Sequence, residues 1–103
     1  MFQYNVTIKI EKEIREAWLA WMQSEHLQQV LDTKCFDAAS LHELLEPIDD
    51  DGFTFVATYT TSSKARYNEY IELYAPLLRE KGFQLFGNKF IAFRSLIQKL
   101  HEL

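Results

Sequence analysis

With 103 residues, 48% of them hydrophobic and 25% charged, the chain (residues 1–103) is expected to form one domain around one core. Eleven Lys and Arg are interleaved among fifteen Asp and Glu, for a formal net charge of −4, which excludes the clustered basic surface that a nucleic-acid backbone or an anionic membrane requires. Cys35 is the single cysteine, which rules out an intramolecular disulfide and a paired-cysteine metal or redox site and fits a reducing cytoplasm.

Phe2, Tyr4, Val6, Ile8 and Ile10 alternate with Gln3, Asn5, Thr7 and Lys9, the period of a strand with one face buried. That alternation leaves no continuous apolar run, so neither a signal peptide nor a membrane span is expected at Met1–Ile10. From Glu11 the period changes. Ile14, Trp18, Met22, His26 and Val30 stand four apart, flanked by Ala17, Leu19, Trp21, Leu27 and Leu31, while Glu11, Glu13 and Glu16 suit the positive end of a helix dipole. The pattern predicts a helix of about 20 residues, ending at Asp32-Thr33-Lys34.

Phe36–Leu45 has two mixed faces and reads as an edge strand, with Asp37 and Glu43 as edge charges that discourage pairing with other chains. Pro47 and Asp49-Asp50-Asp51-Gly52 form a turn in which Gly52 is able to take a positive φ. Phe53, Phe55, Ala57 and Tyr59 then alternate with Thr54, Val56, Thr58 and Thr60 as a second clear strand. Thr61, Ser62 and Ser63 supply capping hydroxyls for a helix carrying Tyr67, Tyr70, Ile71, Tyr74 and Leu78 at helical spacing. Pro76 predicts either a kink near Tyr74-Ala75 or a fresh helical segment, continued by Leu77, Leu85 and Phe86 up to Gly87. A last strand, Lys89–Ile97, sets Phe90, Ala92, Arg94 and Leu96 on one face and Ile91, Phe93, Ser95 and Ile97 on the other.

The order β-α-β-β-α-β predicts an α+β, ferredoxin-like fold: a four-stranded antiparallel sheet with two helices on one face. Because the last strand is apolar on both sides, its outer face needs a cover, and a second copy would supply it as a dimeric α+β barrel.

Four local motifs, taken together and in order, resemble a bacterial family, domain of unknown function 4286, over nearly the whole chain. They are Tyr4-Asn5-Val6-Thr7, Trp18-Leu19-x-Trp21-Met22-x-x-x-His26, Ala75-Pro76 and Phe86-Gly87-x-Lys89-Phe90-x-Ala92-Phe93-Arg94. The resemblance implies a dimeric α+β barrel, an architecture that includes small monooxygenases, mutarotase-like enzymes and binding-only proteins. It also implies a pocket between sheet and helices to which the first helix contributes, and it brings no activity with it. The chain departs from the family pattern at Lys34-Cys35, where a glycine-containing turn is expected, and at Gly82-Phe83, inside an expected helix.

Trp18, Trp21, Met22, His26 and Arg94 are the candidate ligand-binding residues. His26 lies on an apolar row and suits a general acid or base, the alternative being a boundary histidine bonded to backbone or carboxylate. Trp18 and Trp21 line an aromatic cavity or, alternatively, anchor the core and a dimer interface. Arg94 is placed to bind an anion or to pair with a glutamate, and Tyr4, Tyr59 and Tyr67 add phenols. His26, His42 and His101 lack metal-ligand spacing, and Asp49-Asp50-Asp51-Gly52 lacks the alternating ligands and closing glutamate of a calcium loop. With three glycines the chain has neither a phosphate-cradling loop nor a nucleophile elbow, so no cofactor is expected. The reading is a cytoplasmic homodimer that binds a small, partly apolar molecule between sheet and helices, with no reaction assigned and no nucleic-acid or membrane partner. The alternative is a non-catalytic structural or protein-interaction module in which the same residues fill the core.

Overall fold

The computed structural model describes residues 1–103. Its strands are β1 (Phe2–Glu11), β2 (Ala38–Glu43), β3 (Gly52–Thr61) and β4 (Phe90–Gln98), and helices α1 (residues 12–32) and α2 (residues 64–86) follow β1 and β3. The four strands form one sheet in the order β2-β3-β1-β4, with every neighbouring pair antiparallel. This is the ferredoxin-like arrangement.

Register explains which face is buried. Tyr4 lies opposite Tyr59 and Leu96, and Ile8 opposite Phe55 and Ala92, so the odd-looking mixture of aromatic and small residues falls on one side of the pleat. That side meets the helices. Trp18 of α1, 2% exposed, packs on Phe55 with ring centroids 4.9 Å apart, while Tyr4 meets Tyr67 and Tyr70 of α2 at 5.5 and 6.0 Å. Rings of this size each bury on the order of 150–250 Å², so the aromatic share dominates the core.

Neither helix is uniform. In α1 a 3-10 turn at Lys12–Ile14 leads into α-helix at Arg15–Trp21, a π turn at Met22–His26 and α-helix again at Leu27–Asp32. The Ser24 hydroxyl donates to the Ala20 carbonyl at 2.6 Å within the widened stretch, a back-bond that competes with the regular ladder. In α2, Ser63 caps Lys64–Glu69, a π turn covers Tyr70–Tyr74, and α-helix resumes at Ala75–Phe86 with Pro76 in its first turn. Proline cannot donate backward and its ring crowds the carbonyl four residues earlier, so the ladder widens just before it. Of the two outcomes predicted from Pro76, the fresh helical segment is the one observed, with α-helix resuming at Ala75 after the π turn.

Several sequence expectations need correction. Gly52 does not take a positive φ; it is buried at the start of β3, and a Cβ there would run into the Ile10 carbonyl oxygen. Positive φ occurs at Gly87 (59°) and at Lys34 (67°), which occupies the left-handed position closing α1 where a glycine is usual. Strand β2 is shorter than Phe36–Leu45, because Phe36 leaves the sheet edge for the core and packs against Tyr4, Tyr59 and Tyr70. The edge charges are engaged within the chain: Arg66 forks onto Asp37 at 3.1 and 3.2 Å, and Arg15 onto Glu43 at 3.0 and 3.1 Å. Gly82 sits inside α2, buried, where its missing side chain brings the helix against Trp21 and Phe90.

On the face of the sheet away from the helices, β4 leaves Ile91 and Phe93 each 70% exposed and Ile97 50% exposed. No helix is long and apolar enough to cross a membrane.

Candidate functional site

A cavity of about 60 Å³ lies between the sheet and the two helices, and Trp18, Trp21, Met22, His26 and Arg94 all line it. The five candidates are thus brought to one place, from two elements. Helix α1 supplies four of them, and the pleat of β4 turns Arg94 to the same side of the sheet as Ala92 and Phe90. Trp18 and Met22 are each 2% exposed and are principally core; Trp21 and His26 are half-buried at its margin.

The π turn decides where the imidazole goes. His26, its last residue, stacks on Trp21 at 4.5 Å between ring centroids with planes 28° apart. Its Nδ1 is buried without a hydrogen-bond partner. Burial, followed by the positive charges of Lys81 and Arg94, pushes its pKa down to about 4, so at neutral pH it is an uncharged imidazole.

The phenols divide differently from the expectation. Tyr4 and Tyr59 line the cavity, whereas Tyr67 does not; it stands edge-on to Tyr4, with the Lys64 ammonium 5.4 Å from its ring centre. Tyr70 takes the place expected of Tyr67. Burial raises the pKa of both Tyr59 and Tyr70, which keeps them as neutral hydroxyl groups.

Arg79 and Gly82 also line the cavity and were missed in the sequence, as was Tyr70. A signal for them existed: Ala75, Arg79 and Gly82 are spaced four and three apart, one face of a helix, and Arg79 is the charged residue in an otherwise small row. Arg79 donates to the Tyr4 hydroxyl at 3.3 Å. Arg94 makes no ion pair, so the glutamate pairing considered for it does not occur. No group of three or more His, Cys, Asp or Glu side chains is arranged to hold a metal ion.

Sheet order, helix placement and the cavity beneath the helices define a ferredoxin-like α+β protein with an internal cavity. The chain belongs to the family described as a domain of unknown function, DUF4286, whose model matches residues 1–100. No curated protein matches it. Among solved structures it is similar to a dimeric ferredoxin-like protein from an uncultured marine organism, at 14% identity and a TM-score of 0.70 over 99% of this chain and 97% of that one. It is also similar to HapK from Hahella chejuensis, at 12% identity and a TM-score of 0.72 over 99% of this chain and 95% of that one. A third is a variant of SnoaB, a cofactor-independent oxygenase from Streptomyces nogalater, at 11% identity and a TM-score of 0.63 over 99% and 95% of the two chains. At such identities the likeness is one of fold.

Proposed function

We propose that this chain is a cytoplasmic homodimer in which each copy encloses a small, partly apolar molecule between its sheet and its helices. The observation that carries the reading is the cavity: twelve of its sixteen lining residues are hydrophobic, and the polar ones include an imidazole nitrogen left without a partner. A polar group of the bound molecule could pair with that nitrogen, and leaving a buried polar atom unpaired costs about 1–3 kcal/mol. The volume is well under the roughly 300–1,000 Å³ typical of sites for drug-sized ligands, so the occupant is small.

Binding fits the geometry better than proton transfer. A base works best with a pKa near the operating pH, and His26 is held at about 4. The fold is shared with a protein described as a cofactor-independent oxygenase, but the side chains around this cavity argue for holding a molecule. The dimer rests on the apolar outer face of edge strand β4 and on similarity to a protein described as dimeric and ferredoxin-like. The cytoplasm rests on the unpaired, buried thiol of Cys35.

Native mass spectrometry of protein gently purified from its own host tests the binding. A small mass retained above that of the polypeptide is expected, and Ala92→Leu, which narrows the cavity, should reduce it. A bare polypeptide mass would favour the structural or protein-interaction module instead.

A further inference from the structure

The cavity wall is electrically one-sided. Its charged side chains are Arg79 and Arg94; no Asp or Glu reaches it, although the chain carries fifteen acidic residues against eleven basic ones. Elsewhere the arginines find carboxylates, Arg15 at Glu43 and Arg66 at Asp37, both as two-pronged contacts. At the cavity they do not. Arg94 has no ion pair or side-chain hydrogen bond, and Arg79 has only the Tyr4 hydroxyl. Both are half-buried. A partly desolvated cation without a counter-ion is costly, and two in one cavity add their mutual repulsion. A bound anion removes both costs.

We propose that the cavity receives a small monocarboxylate, its carboxylate hydrogen-bonded to Arg94 and Arg79 and its carbon body against Trp21, Phe90 and Ala92. This rests on the binding reading above and adds the ligand's chemistry. A planar guanidinium matches a carboxylate with two parallel N–H···O bonds, which a lysine would not reproduce. The apolar wall suits a carbon body rather than a strongly hydrated inorganic anion. A cavity of about 60 Å³ is small, which favours short-chain acids over fused rings. The neutral hydroxyls of Tyr59 and Tyr70 and the neutral imidazole of His26 can hydrogen-bond an acyl oxygen or substituent without repelling the charge.

Thermal unfolding of the full chain tests it, using sodium acetate, propionate, butyrate and benzoate against the matching primary amides and against sodium sulfate at equal ionic strength. The carboxylates should raise Tm in a concentration-dependent way, with the amides and sulfate giving little. Arg94→Gln should lose most of that shift and Arg94→Lys should keep part of it, with near-UV circular dichroism showing that both fold. Should Arg94→Gln not fold, the carboxylate-against-amide comparison on the natural chain, read by NMR shifts of His26, carries the decision. Equal effects of amides and carboxylates would overturn the anion while leaving the binding reading intact. An equal sulfate effect would overturn the carboxylate as a specific ligand. No response to any compound, together with a bare mass from the host-purified protein, would remove the binding reading itself.

Discussion

His26 stays neutral because protonating it would place a charge in a half-buried position facing Lys81 and Arg94. Unfolded, the imidazole titrates near 6.5; folded, it does so at about 4. Between those values the unfolded chain binds more protons, so stability rises with pH. The stabilisation is complete above pH 6.5 and is lost as pH falls through about 4, amounting to about 2–3 kcal/mol by pH 4.5. Glu13, Glu43 and Asp49, held below the ordinary carboxylate range by Lys89, Arg15 and Lys9, add their own losses lower still. Urea unfolding at pH 7 and pH 4.5 should therefore show a larger drop for the natural chain than for His26→Phe. An identical drop in the two would mean that the imidazole is solvated. Lys34 is the other residue shaped by its place: a non-glycine residue with a left-handed backbone, ending α1 with its N–H donating to the Leu31 carbonyl at 3.0 Å.

At the scale of elements, both helices are divided by a π turn, and each turn contributes to the cavity. Met22–His26 delivers Met22 and His26, and Tyr70–Tyr74 delivers Tyr70. The division also leaves the opening segment of α2, Lys64–Glu69, six residues long, too short to hold itself together without its cap. Ser63 accepts from the Arg66 N–H at 3.1 Å. Ser63→Ala should cost about 1 kcal/mol, read as a lower urea midpoint with an unchanged slope; no change would mean that tertiary contacts alone hold the segment. Strand β2 and the residue leading into it are fastened to both helices by charge, through Arg15–Glu43 to α1 and Arg66–Asp37 to α2. The Arg15 guanidinium also lies 4.3 Å over the Phe53 ring, so its contribution is packing as well as charge.

For the molecule as a whole, the open question of the sheet is its outer face. Strand β4 is an edge strand, and Ile91, Phe93 and Ile97 lie along its outer face at half or more of full exposure. Covered by a second copy, they become an isologous core. Size-exclusion chromatography with light scattering at micromolar concentration should give twice the chain mass for the natural protein and the single mass for Phe93→Lys, with circular dichroism unchanged. A natural chain that runs as a monomer would remove the barrel. The fold itself was legible: Phe2 to Ile10 and Phe53 to Tyr59 alternate too cleanly for helix, and Trp18, Met22 and Val30 repeat too regularly for strand. Phe36 was misread because a lone aromatic between two elements looks the same in a strand as in a core-filling loop, and Gly52 because close backbone approach leaves no local mark.

By themselves, the periodicities of this chain determined the order of strands and helices, the buried face of β1 and β3, and the gathering of Trp18, Trp21, Met22 and His26 on one helical stripe. These are short-range properties, set by the pitch of helix and strand. Only the tertiary structure decided that Arg94 shares a cavity with that stripe, that Arg79 and Tyr70 join it while Tyr67 does not, and that no carboxylate answers the two arginines. The physical reason is distance along the chain. Strand β4 reaches the first helix only through pairing with β1, and the register of Arg94 opposite Val6 is set by the sheet as a whole rather than by either stretch alone.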